Sequence, residues 1–218
     1  TNNTTGSNNF GGGHQNLYSN TTGGGNTAIG YAAMWSNTTG ANNTAIGTVA
    51  LQKNTTGSYN TAMGSYALYN SLSGCHNFAA GQNALCSNWG GCDNIAIGAC
   101  TLKANTTGED NIVLGQHSAC KNTTGFYNTV IGIQAMQCNE TGYGNIAMGY
   151  AAANCSTGNF NQAMGYQSLR YNCAGIGNTA IGYKTICGTG GGQEGSYTTA
   201  IGWNAAASGS AGYNVAIG

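Results

Sequence analysis

The chain has 218 residues, of which five are basic, five are acidic, 38 are Gly and none is Pro. With a formal net charge of zero and so few cations, the chain has no basic surface for nucleic acid or an anionic membrane. No apolar run approaches the ~20 residues of a membrane-spanning helix, and the periodic apolar positions are not those of a disordered chain.

A five-residue motif, Asn-Thr-Ala-Ile-Gly, is repeated along the chain and first occurs in full at 26–30. Because internal repeats at a fixed period indicate a solenoid, we number positions within each repeat from its Asn. The starts are 17 residues apart up to Asn145, and the later intervals are 16, 17, 20 and 16 residues. They lie at Asn9, Asn26, Asn43, Asn60, Asn77, Asn94, Asn111, Asn128, Asn145, Asn161, Asn178, Thr198 and Asn214.

The repeat predicts an all-β fold, a parallel β-solenoid of about twelve 17-residue coils. We interpret residues 1–218 as one continuous array, with 1–8 as a partial repeat and 188–195 as an insertion at a corner. Because the sequence starts and stops inside a repeat, we expect it to be a fragment of a longer fibre.

Each coil is expected to contain two short strands and two corners. The strand segments are Thr-Ala-Ile at positions 2–4 and a small residue followed by Leu or Met at positions 8–9, and both are too short for helices. A second Gly column, ten residues after position 5, usually follows Asn-Thr-Thr, which is typical of a turn. Stacked coils would pair each strand with its copies about 4.8 Å away.

Position 5 is Gly in every repeat, which predicts a positive φ or a corner without room for a Cβ. These corner glycines are Gly30, Gly47, Gly64, Gly81, Gly98, Gly115, Gly132, Gly149, Gly165, Gly182 and Gly202.

The first strand is apolar at two successive positions, since position 3 is Ala or Val and position 4 is Ile, Leu or Met in most repeats. Strand alternation sends these side chains to opposite faces, and a strand that is apolar on both faces should be covered on both. We therefore predict that one face fills the coil and that the other, assigned to position 3, meets an identical chain. The alternative is that Ala at position 3 tolerates partial exposure.

Asn-Thr-Ala-Ile-Gly-x-x-Ala-Leu with Asn-Thr-Thr-Gly corners resembles the head repeats of trimeric autotransporter adhesins, and it is also similar to shaft repeats of phage tail-fibre-like proteins. The resemblance covers essentially the whole chain. It implies a left-handed parallel β-roll three chains wide that works as a surface adhesin or fibre. The adhesin-head repeat is shorter than this one, and nine cysteines are unusual for that family.

Two pairs of cysteines share a position in adjacent coils: Cys75 and Cys92 at position 16, and Cys138 and Cys155 at position 11. Stacked neighbours at the spacing of paired strands lie within the Cα separation that a disulfide accepts. We therefore predict that both pairs form disulfides, which fits an oxidising, extracellular setting.

Cys173 and Cys187 are a weaker disulfide candidate, because they lie three positions apart on neighbouring coils. The odd number of cysteines leaves at least one thiol free or bonded between chains. The alternative for all of them is that they are small buried thiols that fill a corner. Their spacing, with His76 nearby, is not that of paired Cys-x-x-Cys zinc ligands, so we expect no metal and no cofactor.

A row of Asn-x-Thr triplets falls on one corner of the coil. These triplets are either good turns or a row of N-glycans made in a secretory pathway. Their asparagines are Asn3, Asn20, Asn37, Asn54, Asn105, Asn122 and Asn139.

The remaining side chains define no catalytic constellation, so we expect no enzyme activity. Aromatic residues recur at position 6 and just before the Asn, where they either bind glycan or protein or cover a corner. A column of Thr side chains at position 2 is compatible with an ice-binding solenoid and includes Thr27, Thr44 and Thr61. An ice-binding surface should be unbroken, but Phe78 and Ile95 interrupt this column.

We predict that the chain is a segment of an extracellular structural and adhesive fibre, which is part of a cell surface, a virion or a secreted filament. We expect it to form a homotrimer. Many weak contacts along the fibre would then add up to a high overall binding affinity. Its expected partners are copies of itself and a host-surface glycan or protein, with no nucleic acid and no membrane contact in this segment. Two alternatives stay open: a self-assembling, N-glycosylated filament subunit, and an ice- or glycan-binding solenoid.

Overall fold

The structure is a computed structural model that describes residues 2–187, 195–205 and 213–218. The chain divides into two compact units, 1–110 and 111–218. Residues 188–194, which hold most of the predicted corner insertion, lie outside the described residues.

The first unit contains one three-residue strand per coil. These strands are β1 (Phe10–Gly12), β2 (Thr27–Ile29), β3 (Thr44–Ile46), β4 (Thr61–Met63), β5 (Phe78–Ala80) and β6 (Ile95–Ile97). Each pairs in parallel with the next, and identical positions face one another: Ala28 pairs with Ala45, and Ala45 with Ala62. The partial repeat joins this stack, because the backbone N–H of Thr4 donates to the carbonyl of Thr21.

The second unit repeats the arrangement with the same parallel register. Its strands are β7 (Ile112–Leu114), β8 (Thr129–Ile131), β9 (Ile146–Met148), β10 (Gln162–Met164), β11 (Thr179–Ile181), β12 (Thr199–Ile201) and β13 (Val215–Ile217). The described residues contain no helix, and the predicted all-β parallel solenoid is confirmed.

The prediction of a second strand at positions 8–9 is wrong. This segment alternates residues of negative and positive φ, as at Ala32 (51°) and Met34 (51°), and the pattern recurs in the following coils. The consecutive residues Ala33 and Met34 are both fully buried, whereas a strand would send them to opposite faces. The segment is therefore a sequence of turns that directs two neighbouring side chains into the coil.

The predicted assignment of position 3 to a contact between chains is also wrong. Ala28, Ala45 and Val113 have no exposed surface in the single chain, because position 3 points into the coil. Position 9 packs there too, and its long side chains include Met34 and Leu51. The outward face of each strand therefore carries positions 2 and 4.

Both explanations proposed for the Gly at position 5 hold. From Gly13 to Gly202 the described position-5 glycines have φ between 129° and 141°, a region that other residues rarely adopt. A Cβ built on Gly47 would also lie 2.6 Å from the carbonyl carbon of Gly64 in the next coil. The corner therefore excludes side chains by backbone angle and by space.

Candidate functional site

A buried ladder of asparagine amides runs along position 12. The Nδ2 of Asn37 donates to the Oδ1 of Asn20 (2.7 Å) and to the carbonyl of Gly40 (2.9 Å). The Nδ2 of Asn54 in turn donates to the Oδ1 of Asn37 at 2.7 Å. Each amide thus closes its own turn and bonds to its neighbour, so this column holds the coils together.

This ladder contains the predicted glycosylation row. Six of the seven candidates are at most 1% exposed: Asn20, Asn37, Asn54, Asn105, Asn122 and Asn139. An amide nitrogen that is buried and engaged in hydrogen bonds offers no room for a glycan in the folded coil, so the structure speaks against the glycan row at these six. Asn3 is exposed, although its Nδ2 also donates to the carbonyl of Gly6 at 2.7 Å.

A second amide ladder occupies position 1, the first residue of the Asn-Thr-Ala-Ile-Gly motif. The Oδ1 of Asn26 accepts the backbone N–H of Asn43 at 2.9 Å, and the Nδ2 of Asn26 donates to the carbonyl of Gly40 at 2.9 Å. Since both ladders meet at the position-15 glycine carbonyl, the Asn and Gly columns are one hydrogen-bonded system.

The outward face of the strands is a regular set of exposed aliphatic side chains at position 4. Ile46 is 37% exposed and Ile97 is 40% exposed, and in the second unit Ile131 and Met148 are exposed at the same position. Position 2 beside it is Thr in some coils and Ile or Phe in others. This face repeats at the strand spacing and lacks charge.

The structure brings together the first two predicted cysteine pairs. The Sγ atoms of Cys75 and Cys92 are 2.7 Å apart, closer than two unbonded sulfurs normally approach, although all nine cysteines are free thiols in this structure. Their mutual hydrogen bond, together with burial, raises the pKa of the Cys75 thiol to about 11. The two sulfur atoms are close enough for a disulfide, and the disulfide itself stays a prediction.

Cys138 and Cys155 are also neighbours. Burial, and then the charge and hydrogen bond of Cys138, raise the pKa of the Cys155 thiol to about 11. In the described residues no hydrogen bond joins Cys173 to Cys187; the Cys173 thiol is exposed and instead donates to the carbonyl of Tyr171 at 3.7 Å. The third pair therefore has the least structural support.

The corner beside Cys75 brings His76 close to Asp93 and Tyr59. His76 Nδ1 lies 3.9 Å from the carboxylate of Asp93, and the His76 ring stacks on Tyr59 with centroids 5.0 Å apart. Within the described ranges, no three His, Cys, Asp or Glu side chains are placed to hold a metal ion.

Aromatic side chains occupy position 6 of four successive coils of the second unit and stack on one another. Tyr150, Tyr166, Tyr183 and Trp203 stack in that order, with centroid separations of 5.3, 5.2 and 4.1 Å. The planes of successive rings lie within 16° of each other, so both faces of Tyr166 and Tyr183 are covered by neighbouring rings.

A groove of about 250 Å³ opens on the first unit, between positions 6 and 10. Sequence reasoning missed it, because the aromatic columns it identified include Tyr31 at position 6 but not Trp35 at position 10. The turns at positions 6–11 carry these rings to the two sides of the groove. Its lining residues are Gln15, Tyr31, Ala32, Trp35, Ser36, Gln52 and Lys53.

Comparisons with protein-family models, with curated proteins and with solved structures found no match for the chain. The described part of the chain includes no helix with the length and apolarity that a bilayer span requires.

Proposed function

We propose that the chain is a segment of an extracellular structural and adhesive fibre in which copies of the chain associate through their outward strand faces. The observation that supports this proposal is the exposed column of aliphatic side chains at position 4, which repeats in register through the strands of each unit. Contiguous exposed apolar surface of this kind marks interaction sites.

The polar groups of the coil support the same proposal. The buried Asn side chains are largely hydrogen-bonded within and between coils, so the turns and corners are held together inside the coil. The strand face has no such internal role, and an identical chain would offer it an equally flat, uncharged surface. A homotrimer is the assembly that the resemblance to adhesin heads implies.

Light scattering of the purified chain, combined with charge substitutions, tests this proposal. We expect a discrete mass of three chains for the wild type and a single-chain mass for the double variant Ile46→Lys and Ile97→Lys, because Lys on the strand face would be buried between chains. The control is Thr48→Lys with Gln82→Lys, which adds the same charge at position 6. A single-chain mass for the wild type would overturn the trimer, and an open-ended mass distribution would favour the filament.

A further inference from the structure

We propose that the groove on the first unit binds a pyranose sugar that carries a carboxylate. This inference rests on the adhesive function proposed above, and it names the ligand class and the site. The groove volume of about 250 Å³ equals that of about eight liquid water molecules. Such a volume suits a sugar ring rather than a peptide segment.

The walls of the groove are two aromatic rings with exposed surface. Tyr31 is 54% exposed and Trp35 is 39% exposed. Each is supported from the preceding coil, Tyr31 by His14 (centroids 5.7 Å apart, planes at 7°) and Trp35 by Tyr18 (5.8 Å, 8°). Because stacking already holds both rings, they lose little freedom when a ligand packs against them. Rings of this kind offer an apolar surface to the C–H groups of a sugar.

The floor of the groove is open because Ala32 is small. Ala32 is 2% exposed, and its backbone N–H donates to the carbonyl of His14 at 2.9 Å, which fixes its place. Other coils carry a larger residue at this position, such as Gln134 and Gln167, with similar positive φ values of 58° and 53°. A longer side chain at position 7 would occupy the groove.

Polar groups at the edges of the groove match the hydroxyls of a sugar. Gln15 and Gln52 each supply an amide that donates and accepts, and Ser36 supplies a hydroxyl. The backbone N–H of Ser36 donates to the carbonyl of Gln52 at 2.9 Å, so these residues on adjacent coils are held in register.

The positive charge of Lys53 indicates that the ligand is an anion. It is the only Lys, Arg, Asp or Glu among residues 1–92, and it lines the groove. Its Nζ lies 5.1 Å from the centroid of the Tyr69 ring, which steadies the ammonium without neutralising it. A cation with no acidic residue in the preceding or the following 39 residues favours an anionic partner. A carboxylate on the sugar supplies that charge.

The test measures binding by isothermal titration calorimetry with acidic saccharides of three kinds: trigalacturonate, a glucuronic-acid disaccharide and 3′-sialyllactose. Each is compared with its carboxyl methyl ester, which keeps the sugar and removes the charge. We expect at least one acid to bind with millimolar or better affinity and its ester to bind about tenfold more weakly, because charge-assisted hydrogen bonds are roughly twice as strong as neutral ones.

Three variants locate the binding. Ala32→Gln fills the floor with a side chain that other coils carry at the same φ, and we expect it to fold and to lose binding. Lys53→Gln is expected to bring the acid to the affinity of its ester. Lys103→Gln removes the other lysine of the first unit, which does not line the groove, and should leave binding unchanged.

The proposal is overturned if no acid binds at millimolar concentration, if the esters bind as well as the acids, or if Ala32→Gln binds like the wild type. Light scattering of the wild type and of Ala32→Gln reports the fibre assembly separately, since position 7 lies off the strand face. A single-chain particle that binds the sugar would overturn the assembly and keep the groove. An assembled particle that binds none of the acids would overturn the sugar site in the groove and keep the proposed fibre assembly.

Discussion

The inner and outer columns of the same coil behave differently along the chain. The Asn and Gly columns at positions 1, 5, 12 and 15 are nearly the same in both units, whereas positions 6 and 10 on the outside change from coil to coil. In the first unit an aromatic pair at both outer positions encloses a groove. In the second unit the position-6 side chains from Tyr150 to Trp203 form a ladder of stacked rings, and Asn154 and Arg170 stand at position 10. Stability and recognition therefore lie in separate columns of the coil.

Replacing an inner corner glycine should have the largest effect on stability. Gly47→Ala places a Cβ 2.6 Å from the Gly64 carbonyl carbon at a φ of 138°. We expect the free energy of unfolding to fall by about 3 kcal/mol or more, measured by chemical denaturation. Gly90→Ala is the control, since a Cβ there meets only the Ser73 Oγ at 3.6 Å. Equal losses in the two variants would contradict the inner-corner explanation.

Breaking the position-12 ladder should have the next largest effect. Asn37→Ala removes a donor to Asn20 and Gly40 and an acceptor for Asn54. We expect a loss of about 2–3 kcal/mol in thermal or chemical unfolding, because buried partners would be left unpaired. Asn70→Ala, at the half-buried position 11, should change stability little.

Repairing the ladder should stabilise the chain. Ser71 stands where most coils have Asn, and in the described part of the chain its Oγ and the Oδ1 of Asn54 have no hydrogen-bond partner. Ser71→Asn would supply a donor to Asn54, and we expect about 1–2 kcal/mol of added stability. Ser156→Asn is the matched comparison; it should gain less, because the Ser156 Oγ already accepts from Asn161 at 3.3 Å. A loss of stability in Ser71→Asn would show that the site cannot take an amide.

Changing an outer aromatic residue should have a smaller effect. Tyr166→Thr puts at position 6 the residue that coil 43–59 has there, Thr48. The variant loses ring contacts to Tyr150 and Tyr183, and we expect it to lose about 1 kcal/mol, because aromatic pairs contribute modestly beyond the area they bury. A loss as large as that of Gly47→Ala would mean that the outer ladder is part of the scaffold.

The contribution of the thiols to stability should depend on pH. The folded pKa of Cys75 and Cys155 is about 11, above the ordinary 9.0. The folded chain therefore holds these protons more tightly, so this contribution to stability is present below pH 9 and is lost as the pH rises through 11.

Alkylation rates of the reduced chain test the same two pKa values. Because 11 exceeds 9.0 by two units, the thiolate fraction at neutral pH is about a hundredfold lower than that of an ordinary thiol. A thiolate of higher pKa is also more nucleophilic, so we expect both thiols to react roughly tenfold more slowly. Mass-spectrometric mapping measures this against the exposed Cys173. Equal rates at all three cysteines would contradict the pKa shifts.

The parallel solenoid, the register and the corner glycines could be predicted because each follows from a period of 17 in one residue column. The second strand could not be excluded, because Ala-Leu is compatible with a strand and its alternating φ signs leave no mark in residue type. The direction of position 3 was also undetermined, since alternation separates two faces without saying which one is inside. The groove could not be predicted from the sequence, because its lining residues Gln15, Trp35 and Lys53 belong to three different coils.

The in-register pairing of identical positions has a consequence for how such a chain changes length. Ala45 meets Ala28 on one side and Ala62 on the other, and deleting residues 43–59 would place Ala28 against Ala62 with the inward strand positions still in register. Duplication of this coil would likewise keep Ala against Ala at position 3. Gain or loss of 17 residues therefore preserves the strand pairing within a unit. The 16-residue interval from Asn145 to Asn161 keeps both the strand pairing and the amide hydrogen bond, so a corner also absorbs a one-residue change.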